Sequence, residues 1–440
     1  MVKDLTLALV LFIFVFALIV SEQLPRSVAA MFGAMLFISF GLVSVESVVE
    51  TLGENASALG LIIGMFIIVD ITNRAGVFQY LAIRLIKISG GNPNRILTLF
   101  CIAALVSPAI LSNVATMVIL AALTLTICRA LRLDPAPYLI SEAILSNIGG
   151  FTTLVASVPS IIVGSAADYP FTYFLINLAP LGLLLGLILI RFLQYWFKDK
   201  LEIKSQLRIT LSRRTIEDLD EWTVVEDRGL FKRSIIILGL VIASFLVGKT
   251  VGGPLANPGF VAIGGAVLML VFSGTNPESV MREIDWGSIF FFGSLYAVVR
   301  GAEEAGLLVE IANSLVTLSG GNLYFISLLL LWIGGFTSGI VDNIPTAITF
   351  AAVIGDLRPQ FQVLNPLWWG ALFGTVLGGN FTPIASPAGV LVLGLYDRIV
   401  TSQETKKGFF RNFFIAGALA ALISMLCATL YLVLYIFLFV

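Results

Sequence analysis

The chain has 440 residues, 58% of them hydrophobic and only 12% charged, with a formal net charge of −1. Soluble domains carry roughly 25% charged residues, so this composition excludes an ordinary soluble globule and fits an all-α polytopic membrane protein. The near-zero charge gives nucleic acid no footing, and the lack of histidine removes the commonest metal ligand and the easiest proton shuttle.

The elements follow in chain order. Residues ~Leu5–Val20 form a short apolar run whose flanks, "MVKD" and "SEQLPR", suit a retained membrane helix better than a cleaved signal peptide. Two further crossings are expected at ~Val28–Val43 and ~Ala58–Ile71, each shorter than the ~20 residues of an ideal span. An amphipathic stretch then ends in "SGGN" (Ser89–Asn92). Next comes "SPAILSNVATMVIL" (Ser107–Leu120), an apolar run broken at its centre by Ser112 and Asn113. The following segment, "NIGGFTTLVASVP" (Asn147–Pro159), is broken by Gly149 and Gly150, and a last crossing closes this half. Cys101, Cys128 and Cys427 are scattered, without metal or disulfide spacing.

Residues 198–233 hold nine Lys/Arg and eight Asp/Glu, which no membrane span tolerates. They divide the chain into repeats at 1–197 and 234–440. The second repeats the first: crossings at ~Ser234–Val247, ~Phe260–Phe272 and ~Gly287–Val299, an amphipathic stretch ending in "SGGN", then "SGIVDNIPTAITF" (Ser338–Phe350) with Asp342, Asn343 and Thr346 at its break. "LGGNFTPIASP" (Leu377–Pro387) carries Gly378 and Gly379. The offset stays near 230. With residues 198–233 in the cytoplasm and each interrupted run returning to its own side as a re-entrant hairpin, most basic residues fall inside. The second repeat is then inverted relative to the first.

Non-helical backbone at membrane depth survives only where protein or a water cavity satisfies it. The two hairpin tips and the two Gly-Gly breaks each start a half-helix with free N–H groups and a positive dipole end, where backbone carbonyls, hydroxyls and amides coordinate a small cation or hydrogen-bond an anion. Thr152, Thr153 and Ser157 flank one unwound point; Asn380, Thr382 and Ser386 flank the other. Capping alone would also explain a single Ser112 or Asp342; four breaks in symmetric positions favour a shared midplane site. Asp342 is a deep carboxylate, expected to carry a proton or balance a cation. Glu142 either faces the site or lies near its cytoplasmic mouth.

The stretch from Ser112 to Pro180, together with "VDNIPTAITF" and "LGGNFTPIASPAGVLV", resembles the P-permease branch of the ion transporter superfamily. That branch includes the arsenical pump permease, NhaD-type antiporters and the pink-eyed dilution protein. The resemblance implies two inverted repeats, each with a re-entrant hairpin and an unwound helix, in a homodimer surrounded by lipid. It places tip asparagines at Asn113 and Asn343, with a possible Na⁺ near them. The branch usually has Asp-Asn where this chain has Ser112-Asn113, and "GDPPN" where it has "ASVPS" (Ala156–Ser160). It usually has "GASAN" where this chain has "ASPAG" (Ala385–Gly389). The site is therefore more neutral than usual, with Asp342 its main carboxylate. The expected function is secondary active transport of a small ion (arsenite or another oxyacid, a carboxylate, or Na⁺), coupled to H⁺ or Na⁺, in the inner or plasma membrane. No organic cofactor and no enzymatic activity are expected. A passive anion channel on the same scaffold is the alternative.

Overall fold

The computed structural model describes residues 2–21, 23–111, 113–201, 220–400 and 402–439. Ser112 and half of the charged linker (202–219) lie outside the described residues. Every regular element among the described residues is helical.

The first half contains α1 (Val2–Ser21), α2 (Arg26–Ser39), α3 (Val45–Glu54), α4 (Ala56–Arg74), α5 (Val77–Ser89), α6 (Pro93–Val106), α7 (Pro108–Leu111) and α8 (Asn113–Leu131). It continues with α9 (Ala136–Gly149), α10 (Val158–Ala166) and α11 (Phe171–Trp196), and α12 (Lys198–Leu201) opens the linker. The second half contains α13 (Arg228–Val251), α14 (Pro258–Ser273), α15 (Pro277–Glu283), α16 (Trp286–Glu304), α17 (Leu307–Ser319) and α18 (Leu323–Ile340). It ends with α19 (Asn343–Leu357), α20 (Asn365–Gly378), α21 (Pro387–Ile399) and α22 (Gln403–Phe439). Eight helical segments among the described residues are long and apolar enough to cross a membrane, so the protein is a multi-pass membrane protein.

Each run expected as a crossing lies on a helix with shifted ends. The second stops at Ser39 rather than near Val43, because Gly41 takes a left-handed conformation (φ 71°) that ends the helix. The chain then turns into α3, an amphipathic helix capped by Ser44 and absent from the sequence expectation. Both "SGGN" stretches behave alike: α5 and α17 have 13 residues each, bounded at both ends by left-handed glycines. Likewise α4 and α16 have 19 residues each, and α9 and α20 have 14.

Packing crosses between the halves. Helix α2 lies on α16, and α4 lies on α14. At one end of the molecule Glu54, Ser57, Asp168, Lys249 and Asn257 border a common cavity of ≈ 400 Å³. There the Tyr169 hydroxyl donates to Asn365 Oδ1, and Arg358 donates to the Ala166 carbonyl at 2.7 Å. At the other end Lys87 pairs with Glu221, Lys200 with Asp134 at 2.8 Å, and Arg74 donates to the Ser279 carbonyl at 3.1 Å.

Candidate functional site

Helix is interrupted at Asp342 and at both Gly-Gly points; near the first tip, where Ser112 lies outside the described residues, α6 stops at Val106, and the causes differ. In the first half the ladder fails at Ser107, because Pro108 has no N–H to donate. One turn of α7 follows, and α8 begins at Asn113. In the second half the chain breaks abruptly: α18 ends at Ile340 and Asp342 caps α19, accepting from the Ile344 N–H at 3.3 Å. Asp342 has φ 143° and ψ 152°, a region nearly reserved for glycine. A non-glycine residue there costs of order 1–3 kcal/mol and persists only where its surroundings hold it.

The unwound segments after α9 and α20 are pinned by matching contacts. Thr153 Oγ1 donates to the Ala109 carbonyl at 3.0 Å, and Thr382 Oγ1 donates to the Gly339 carbonyl at 2.9 Å. Each threonine thus ties its loop to the hairpin before it. Thr152 Oγ1 caps the Gly149 carbonyl at 2.7 Å. Ser157 and Ser386 cap the helices that resume, accepting from Ser160 N–H and Gly389 N–H at 3.4 and 3.3 Å. Gly149 and Gly378 are required by close approach. A Cβ on Gly149 would stand 2.3 Å from the Leu105 carbonyl oxygen, and one on Gly378 2.3 Å from that of Gly335. Gly150 and Gly379 sit over the Cβ atoms of Ser157 and Ser386, in the same relation in both halves.

Asn147 joins the two halves. Its Nδ2 donates to Asn380 Oδ1 at 2.8 Å and to Ser386 Oγ at 2.9 Å, while its Oδ1 accepts from Asn113 Nδ2 at 3.3 Å. Asn380 Nδ2 returns to the Ile144 carbonyl at 3.3 Å. The Asn113 backbone N–H donates to the Ala156 carbonyl at 2.9 Å, and its own carbonyl accepts from Ser146 Oγ at 3.1 Å. The first tip and both unwound points therefore form one buried amide and hydroxyl network.

The second tip is held differently. Asp342 is fully buried and its carboxylate pairs with the Arg26 guanidinium at the start of α2, which also reaches the Ile384 carbonyl at 3.4 Å. Thr346 Oγ1 donates to the Asp342 carbonyl at 2.9 Å. Asn343 is buried, and its Oδ1 has no partner among the described residues. Glu142 does not face the site: it is buried in the middle of α9, bonded by Thr124 Oγ1 of α8.

A small cavity of ≈ 90 Å³ collects the breaks. Its lining includes Asn113 and Val114, Ser157 and Val158, Ile344 and Pro387. Those residues are the first of α8, α10, α19 and α21, so four helix N-termini face one space. Their dipoles give it a positive bias. Apart from Asp285, whose carboxylate accepts from the Ser288 N–H and hydroxyl, the lining is uncharged, and that bias suits an anion.

Asp285 and Ser288 at the start of α16 also line this cavity. Sequence reasoning missed them, and it missed Arg26, which it read only as a cytoplasmic charge. The one available signal was an arginine immediately before an apolar run. Its partner lies 316 positions away.

A family profile described as citrate transporter matches residues 16–374. The chain belongs to this family. Full-length relatives agree: an uncharacterized transporter of Mycobacterium tuberculosis (strain ATCC 25618 / H37Rv) is 30% identical over 438 residues, covering 98% of this chain and 99% of the relative. A 46 kDa membrane protein of Mycobacterium leprae (strain TN) is 30% identical over 432 residues, covering 97% of each. The human P protein is 26% identical over 493 residues, covering 94% of this chain and 58% of the P protein. The kinship to the pink-eyed dilution protein expected from the motifs thus holds. As a member of the citrate transporter family, the chain is a membrane transporter rather than an enzyme.

Proposed function

We propose that the protein is a secondary active transporter that carries a small anion, of the carboxylate or oxyacid class, by alternating access through the cavity at the four helix starts. The convergence of those N-termini on one mostly apolar cavity, with Asn113, Ser157 and Ser288 as its neutral polar lining and Asp285 held by Ser288, carries this reading. The family description, citrate transporter, makes citrate the first substrate to try. The anion would be held by backbone N–H groups and by the hydroxyls and amides of Asn113, Ser157 and Ser386.

In this reading the two halves are inverted repeats, with α6–α8 and α18–α19 as re-entrant hairpins. The end of α10 meets the start of α20 through Tyr169–Asn365 and Arg358–Ala166, which supports antiparallel courses for the two broken helices. The clustering of Arg74, Lys87 and Lys200 at the end that carries α12 and Glu221 supports a cytoplasmic linker. The membrane would be the inner or plasma membrane. A proton or sodium gradient would drive the cycle.

The test is uptake of labelled citrate by purified proteoliposomes under an imposed proton or sodium gradient. Saturable accumulation that collapses with the gradient is the expected result. Flux that neither saturates nor responds to a gradient would replace this reading with a passive anion channel. Uptake of arsenite but not citrate would move the substrate to a neutral oxyacid.

A further inference from the structure

Glu142 is a carboxyl group with no structural employment. It sits at the centre of α9, fully buried, seven residues before the Gly149 break. One oxygen accepts from Thr124 Oγ1 of α8, and the other, Oε2, has no partner among the described residues. The titratable groups near it are Cys101 on α6, Cys128 on α8 and Tyr138 on its own helix, none of them a cation. The cations on the elements packed against α9 are Arg95, Arg129, Arg191, Arg398, Lys406, Lys407 and Arg411 (on α6, α8, α11, α21 and, for the last three, α22); all are exposed but Lys406, which is half-buried and paired with Asp397 at 3.9 Å. No charge compensates an ionised Glu142 in this arrangement. A bare buried carboxylate costs several kcal/mol, so the group holds a proton instead. The second half offers no counterpart: the equivalent place on α20, also seven residues before its glycine break, is Ala371.

We propose that Glu142 is the proton-binding site that couples transport to a proton gradient, separate from the anion cavity. This inference rests on the transporter reading given above. A sodium ion is a poor fit for the same place, because it needs several oxygen ligands and the neighbours beyond Thr124 are thiols and a phenol. The chemistry is a reversible protonation: an O–H bond forms on the carboxylate when a proton arrives and breaks when it leaves. In the arrangement seen here the proton is held. Release needs a conformation in which water or a cation reaches the carboxylate. A group that binds its proton in one conformation and releases it in another links proton movement to the conformational cycle. Helix α9 supplies the lever. Ser146 and Asn147, one turn beyond Glu142, hold Asn113, Asn380 and Ser386.

Two readouts test this on the full-length protein. The first is the carbonyl band of a protonated carboxyl group in infrared spectra. It should be present in the wild type, absent in Glu142→Gln, and shifted in Thr124→Val, which removes the hydrogen bond but keeps the acid. The second is citrate transport in proteoliposomes: Glu142→Gln should lose accumulation driven by a pH gradient while still exchanging citrate at equal pH. An unchanged infrared band in Glu142→Gln overturns the assignment, as does undiminished pH-driven accumulation. Should the wild type fail to move citrate at all, the substrate reading falls, and the infrared comparison still decides the state of Glu142. If Glu142→Gln does not fold, Thr124→Val carries the test. A band that does not move in that variant counts against the site.

Discussion

The starts of α8 and α19 occupy matching places in the helix order of the two halves, yet they are secured by opposite chemistry. The first tip is neutral: Asn113 exchanges amide and hydroxyl bonds with Asn147 and Ser146, and through Asn147 with Asn380 and Ser386. The second is ionic: Asp342, in a strained backbone conformation, is clamped by Arg26. The backbone frame is shared, down to threonines that tie each loop to its hairpin. The side chains have diverged. The matching helix breaks keep the positions where backbone must meet backbone, and leave the chemistry of each position free to differ.

The sharpest way to break this contrast is to remove one member of the ion pair. Arg26→Ala leaves the Asp342 carboxylate buried and uncompensated, which costs about 3 kcal/mol for pairs of this kind. Thermal unfolding in detergent should show a large drop, and Arg26→Ala/Asp342→Asn should recover part of it. Equal or greater loss in the double variant would mean the pair is not what holds the tip. The shared frame is tested next. Gly149→Ala and Gly378→Ala each force a Cβ against a carbonyl oxygen, with an expected loss of about 1–3 kcal/mol apiece. Similar losses from the two variants would support equivalence of the two breaks, and a neutral result at either would argue against it.

The neutral tip should be less costly to disturb. Asn147→Ala strips partners from Asn113, Asn380 and Ser386, for about 2 kcal/mol. Asn343→Ala should cost less, since the Asn343 Oδ1 already lacks a partner. The reverse order would contradict the assignment of Asn147 as the junction. The smallest effect concerns the linker. The Lys87 hydrogen bond holds the Glu221 carboxyl below its usual value of 4.5. A lowered value means the pair adds stability above about pH 4.5 and loses it as pH falls through the folded-state value. Glu221→Gln should remove only that acid-side slope, read as melting temperature against pH.

Much of this was legible because membrane depth makes polar breaks conspicuous. Ser112-Asn113, Asp342-Asn343 and both Gly-Gly pairs stand out in apolar runs, and both amphipathic stretches end at "SGGN" as read from sequence. Two things were not. Helix α3 stayed hidden because Leu42 and Val43 extend the apolar run past the turn at Gly41. The Arg26–Asp342 pair stayed hidden because local sequence carries no record of a partner from the other half. For the same reason Asp342 looked like a lone deep carboxylate, and Glu142, the acid without a cation, was left undecided.

The most direct test of the shared cavity is its accessibility from each side of the membrane. Ile344→Cys and Val158→Cys, in a background lacking Cys101, Cys128 and Cys427, place a thiol in the lining from each half. Vesicles of both orientations would be treated with a membrane-impermeant thiol reagent, with and without citrate. Alternating access predicts labelling of both positions from both sides, slowed by citrate. Labelling confined to one side, or untouched by any anion, would contradict a common transport site.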